Sequence, residues 1–162
     1  MSSIPVFADA HSRLHADIAI IRLIRAGIRT ERISAVFPTR RAPNSVCCWL
    51  KNFKRVSLRS ALPIATAGLL GQLFDRRARR ADVARNLETL GLAPDMAART
   101  LEKVQNGCIV LCVHARNETE ASIAWHIFQH VGAENITCPS HELAPTSHAA
   151  PALTPQWAGV AA

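Results

Sequence analysis

A strand–helix–strand pattern that occurs twice, once on each side of a long middle segment, most constrains what this chain can fold into. Residues 4–8 are a short apolar run of the length of a buried strand. Leu14, Ile18 and Ile21 follow at i, i+4 and i+7, with Ile24 on the same flank, and Gly27 is placed to stop that helix. Residues 33–37 read as a second strand, closed by Pro38. In the later unit, residues 108–114 are the strongest strand of the sequence. Asn117 and Glu120 offer an N-cap and a capping-box partner, Ile123, Ile127 and Val131 continue a helical face, and Gly132 stops it. Residues 136–138 then form a last strand before Pro139. Gly27 follows Asp9 by eighteen positions, as Gly132 follows His114. The two units share few residues, so the repeat is one of structure.

Two split strand–helix–strand units predict an α+β domain of ferredoxin-like type: a four-stranded antiparallel sheet with two helices on one face and right-handed crossovers. The other face then needs cover, from helices of the middle segment or from a second copy of the chain. Two middle helices are expected. Residues 60–74 are small and apolar, and Pro94 opens a clearer helix with Met96, Leu101 and Val104 inward and Gly107 as its stop. Residues 39–59 read as a polar, basic connection. The expected organisation is one domain over 1–138 with a basic and helical insertion at 39–106. The stretch 139–162, with four prolines and no Lys or Arg, reads as a disordered or loosely held tail.

Length and composition agree. A chain of 162 residues suits one domain with a tail, and 49% apolar against 19% charged residues excludes global disorder, collagen and a many-span membrane protein. Residues 1–10 carry no basic leader and no long apolar run, and the five cysteines are odd in number. Reduced thiols in a cytoplasmic protein are therefore expected. The net charge of +7 is uneven. Residues 40–85 hold eleven Lys/Arg against Asp75 and Asp82, a local +9, and the remainder is at −2.

The stretch from Leu92 to Ala115 reads LAPDMAARTLEKVQNGCIVLCVHA. With Gly91, its turn at Pro94, acidic helix start at Asp95, Ala98–Arg99 pair, Glu102, Gly107 and closing Val113-His114-Ala115 resemble the YflT-like heat-induced general stress protein family. VFADAHSRLHADIAIIRLIRAGI followed by RISAVFP is similar to that family's opening unit, and residues 61–71 fall where it carries a glycine-rich segment. The likeness spans roughly residues 4–138. It departs at Thr100 and Leu101, where the family has aromatics, and in its short glycine-rich segment. The resemblance implies a ferredoxin-like fold and a stress-associated role, and brings no catalytic mechanism with it.

Several groups could carry chemistry. On a strand, Cys108, Val110, Cys112 and His114 share a face, and Cys112 and His114 lie about 7 Å apart along it. They could form a metal or thiolate–imidazole site, or simply pack. Cys47 and Cys48, flanked by Lys51, Lys54 and Arg55, could sense redox state or be an inert loop. His126 and His130, like His11 and His15, have the i, i+4 spacing of metal ligands but no acidic partner between them, which suits a solvated helix flank. No phosphate loop, dinucleotide fingerprint, ordered Ser-His-Asp set or carboxylate pair is present. The basic segment offers Arg40, Arg41, Lys51, Lys54, Arg55, Arg76, Arg77, Arg79 and Arg80 to phosphates, with Trp49 and Phe53 interleaved for stacking or a membrane interface. Residues 61–71 are about half the ~20 needed to span a bilayer.

The expected function is a non-catalytic, stress-associated interaction or regulatory module. It would use no cofactor and self-associate through the uncovered sheet face or the small-residue helix. The alternatives are nucleic-acid or anionic-membrane-surface binding through 40–85, and a thiol or metal enzyme built on Cys112 and His114.

Overall fold

The computed structural model describes residues 3–38, 54–56, 64–73 and 80–138. Strand β1 (Ile4–Ala10) leads into helix α1 (Arg13–Arg25), a 3-10 turn (Thr30–Arg32) and β2 (Ile33–Pro38). The middle segment contributes β3 (Lys54–Val56), β4 (Ile64–Ala67), the single turn α2 (Leu70–Leu73), α3 (Arg80–Thr89) and α4 (Pro94–Gln105). Strand β5 (Ile109–Ala115), helix α5 (Glu118–His130) and β6 (Glu134–Thr137) complete the second unit.

Local chemistry sets the helix ends. Ser12 Oγ accepts the His15 N–H at 3.2 Å, and Asn117 Oδ1 accepts the Glu120 N–H at 2.9 Å, so each crossover helix starts on a side-chain cap. Glu120 does not close a capping box onto Asn117. Its Oε2 accepts the N–H of Arg116, one residue earlier, at 2.8 Å. Pro94 stands at the start of α4, where its missing N–H leaves no helical bond unmade.

The structure is mixed α+β with an antiparallel sheet in the order β3-β4-β2-β5-β1-β6. Two expectations need correcting. Among the described residues the sheet has six strands, not four, because β2 is buried along its whole length and takes β4 as a further neighbour, with β3 beyond it. In the described part of the expected helix over 60–74, residues 64–73, a strand and a turn come first. Ile64–Ala67 pairs with β2 in the register Ala35↔Ala67 to Pro38↔Ile64, and of these described residues only Leu70–Leu73 are helical. Small apolar residues suit either state, and pairing with β2 decides between them. The turn after β4 needs Gly68, whose φ is +77°. A Cβ there would run into the backbone of Ile33 and Ser34.

Helices cover both faces of the sheet. On one face Val6, Ala8, Ala10, Ile33, Ala35, Leu111 and Val113 meet Ala16, Ala19, Ile20 and Leu23 of α1 and Ala121, Ala124 and Phe128 of α5. The many alanines on facing surfaces let the helices lie close to the sheet, while Phe128 fills the space between, fully buried. On the other face Phe7, Val36, Val56, Ile64, Val110 and Cys112 meet Val83 and Leu87 of α3 and Ala97, Leu101 and Val104 of α4. Each such large side chain withdrawn from water contributes about 1.5–3 kcal/mol. The cover this second face needs thus comes from the chain's own middle segment, in which α3 is a helix beyond the two expected. No helix among the described residues is long and apolar enough to cross a membrane.

Candidate functional site

Polar groups gather at the two ends of β5. At the end where β1 finishes, the helical layer stops short of β1 and β6 and leaves a cleft of about 210 Å³. Its apolar lining is Phe7, Leu92, Met96 and Val110, and its polar lining includes Asp9, Arg99, Lys103 and Asn135. Asp9 is only 5% exposed, and its Oδ2 receives both Lys103 Nζ at 2.6 Å and Asn135 Nδ2 at 2.9 Å. A carboxylate this deeply placed needs such donors to offset its lost hydration.

Three elements assemble this group. Asp9 alternates onto the α4 side of β1 with Phe7, and Lys103 comes from the last turn of α4. Asn135 comes from an irregular β6. Phe7 pairs with Thr137 and Asp9 with Glu134, so β6 carries one more residue than β1 between those pairs. Asn135 takes up the mismatch at φ +49°, a conformation asparagine tolerates better than most residues. The bulge turns its amide onto Asp9. Arg99 stands one helical turn before Lys103 and lines the same cleft, so two cations flank its apolar floor.

At the opposite end of β5, Ser34 Oγ lies 3.1 Å from His114 Nε2 and accepts the Leu70 N–H at 3.2 Å. With one lone pair so occupied, the hydroxyl has its own proton to give to Nε2. Burial, then the nearby Arg32 charge, hold the His114 imidazole below its ordinary pKa, which suits that neutral acceptor. Arg32 donates to the His114 carbonyl at 3.4 Å and lies 3.8 Å from Glu120 Oε2. Glu120 is held below the usual carboxylate range first by its side-chain hydrogen bond with Arg116, whose Nη2 stands 2.5 Å away.

These positions bear on each residue singled out in the sequence. Cys112 and His114 do share the face that meets α3 and α4, but His114 Nε2 is spent on Ser34. Cys112 is wholly buried, and burial pushes its thiol far above the usual range, so it stays protonated at neutral pH. His130 Nδ1 bonds the His126 carbonyl at 2.8 Å instead of joining its ring in a metal pair. His11 Nε2 pairs with Glu134 Oε2 at 2.8 Å, while the His15 backbone serves the α1 cap. Among the described residues no group of three or more His, Cys, Asp or Glu is placed to hold a metal ion. Lys54 and Arg55 lie on β3, and Arg80 opens α3. Arg40, Arg41, Lys51, Arg76, Arg77 and Arg79, with Cys47, Cys48, Trp49 and Phe53 and the stretch 139–162, lie outside the described residues.

Sequence reasoning missed the Asp9–Lys103–Asn135 group. Asp9 is separated from Lys103 by 94 positions and from Asn135 by 126, so no local spacing announces them. The one available signal was an acidic residue inside an apolar strand, which demands a buried partner. No family model, curated protein or solved structure matches this chain.

Proposed function

We propose that the chain is a non-catalytic regulatory module of the cytoplasm that responds to a small amphipathic anion, a carboxylate on an apolar body, held in the cleft beside α4. The observation that carries the reading is the placement of Arg99 and Lys103 one turn apart over a floor of Phe7, Leu92, Met96 and Val110. Such a site takes charge at its rim and apolar surface within, the common division of labour in small-molecule pockets. Asp9 fixes Lys103 and leaves the cleft with a net positive lining. The order β6-β1-β5-β2 of the four strands from the two repeated units, with α1 and α5 on one face, supports a ferredoxin-like core enlarged by its insertion. The YflT-like sequence pattern supports a stress-associated setting. Helices lie over both sheet faces, so of the two expected bases for self-association, the uncovered sheet face and the small-residue segment, the first loses its support.

The test is a thermal-shift and calorimetric titration of the full chain with benzoate, phenylacetate and octanoate. Saturable binding that weakens at least tenfold in Arg99→Glu supports the reading. Absence of binding up to millimolar concentration, or binding indifferent to Arg99→Glu, overturns it.

A second reading rests on the local +9 between residues 40 and 85, two of whose cations, Lys54 and Arg55, lie on β3 at a sheet edge. That segment would bind nucleic acid or an anionic membrane surface. Binding to a labelled duplex, or to phosphatidylserine vesicles, should fall steeply with salt and vanish on charge reversal of Arg76, Arg77, Arg79 and Arg80. Salt-independent or undetectable binding removes it.

A further inference from the structure

We propose that Cys108, His11 and Glu134 form a reactive-thiol site at which hydroperoxides oxidise the Cys108 sulfur to a sulfenic acid. The three residues stand at the junctions of three neighbouring strands. His11 follows the end of β1, Cys108 precedes β5, and Glu134 opens β6. The registers Ala10↔Ile109 and Asp9↔Glu134 bring those junctions to one end of the sheet.

Cys108 Sγ lies 3.9 Å from His11 Nδ1, and His11 Nε2 lies 2.8 Å from Glu134 Oε2. This is a nucleophile, a base and a carboxylate that orients the base. The Glu134 carboxylate accepts the Nε2–H hydrogen bond, turns Nδ1 towards the sulfur and stabilises the imidazolium once Nδ1 is protonated. Cys108 is half-buried and within reach of a small oxidant, whereas Cys112 and Cys138 are buried. Of the charged groups on the adjoining elements, Asp9 of β1 and Lys103 of α4 are paired with each other.

The backbone narrows the chemistry. The Cys108 N–H is committed to the Lys103 carbonyl at 3.0 Å. The nucleophile's own amide, a usual oxyanion donor in acyl transfer, is therefore spent. A reaction whose leaving group needs only a proton suits the site better. The Cys108 proton passes to His11 Nδ1, and the thiolate attacks the terminal oxygen of the hydroperoxide. The S–O bond forms as the O–O bond breaks, and the sulfur loses two electrons to the peroxide. The departing hydroxide or alkoxide takes the proton back from His11 and leaves as water or alcohol, with Cys108 as sulfenic acid.

The experiment treats the full chain with one equivalent of hydrogen peroxide in the presence of dimedone and locates adducts by peptide mass spectrometry. Iodoacetamide labelling of Cys108 is then timed at pH 7 and pH 10 in the parent, His11→Gln and Glu134→Gln chains, each first shown to melt as the parent does. Dimedone should mark Cys108 in preference to Cys112 and Cys138. An imidazole that accepts the thiol proton raises the reactivity of a cysteine at neutral pH by about threefold once the weaker nucleophilicity of a better-stabilised thiolate is counted. Labelling at pH 7 should therefore slow about threefold in His11→Gln and less in Glu134→Gln. The three chains should converge at pH 10, where thiols are ionised without help. Equal rates at pH 7, a difference that persists unchanged at pH 10, or adducts that avoid Cys108 would each overturn the proposal.

Discussion

Replacing Gly68 by alanine tests the turn on which the enlarged sheet depends. The residue sits at φ +77°, and a Cβ built there meets Ile33 O and Ser34 Cα, both backbone atoms of β2 that cannot swing aside. Two costs follow. The left-handed conformation costs a non-glycine residue about 1–2 kcal/mol, and forcing an extra methyl into closed packing costs about 1–3 kcal/mol more. Gly27→Ala separates them. Its φ is +89°, but nothing lies within 4 Å of its Cβ position, so it bears the conformational cost alone. The stiffening of the unfolded chain that accompanies any glycine-to-alanine change is common to both variants and cancels. Urea unfolding followed by circular dichroism should place Gly68→Ala about 1–3 kcal/mol below Gly27→Ala. With a slope of about 2 kcal/mol/M, that is a midpoint lower by about 0.5–1.5 M. The sign is as informative as the size. Were the segment helical, as its composition suggests, alanine at 68 would stabilise it by about 1 kcal/mol. Midpoints for the two variants within about 0.2 M of each other, or a higher one for Gly68→Ala, would refute the turn and its contact with β2.

Phe128→Ala should cost about 3–5 kcal/mol by the same assay, since the ring is fully buried between α5 and the sheet. Asp9→Ala leaves Lys103 and Asn135 without their shared acceptor and should cost about 1–3 kcal/mol, read as a lower melting temperature. His114 is held below its ordinary value of 6.5, so the unfolded chain binds the proton more readily than the folded one. Stability should accordingly be full above about pH 7 and decline as the pH falls below about 6.5, and His114→Gln should flatten that slope in stability measured from pH 7.5 to 5. Cys112 should resist thiol reagents in the native state and react only as fast as the protein unfolds, which urea-dependent labelling would show.

The parts of the fold legible in the sequence are those that stand on one local period. Strands β1, β2 and β5 announce themselves as apolar runs, and α1 and α5 by helical spacing and the stops that follow them. The segment around Ala65 has no such voice. Alanine and glycine carry weak preferences, and the strand there exists because β2 offers it a partner. Helix α3 is hard to read in the sequence because, among its described side chains, Val83 and Leu87, four apart, are the fully buried ones amid polar neighbours. The cleft was illegible for a different reason. Asp9, Lys103 and Asn135 come from three elements, and their meeting depends on a bulge in β6 that no residue pattern declares. Val110 and Cys112 share one face of β5, whereas Cys108, expected on that strand, stands before it, and sequence neighbours mislead. His114, two residues from Cys112, turns to Ser34, while His11, nearly a hundred positions from Cys108, is the imidazole beside a sulfur.

The order of pairing also has a consequence in time. In the finished sheet β1 lies between β5 and β6, and its register with β5 runs from Ile4↔Ala115 to Ala10↔Ile109. Among the described residues its strand partners, β5 and β6, are both synthesised from residue 109 onward. At a ribosomal pace of about 5–20 residues per second, an emerging β1 waits on the order of 5–20 s for its first partner. Over that interval α1 has only part of its final support, and an apolar strand stands with both hydrogen-bonding edges open. The inserted hairpin and helices lengthen this wait. Slowing translation after β4 should lengthen that exposure and increase aggregation in the cell.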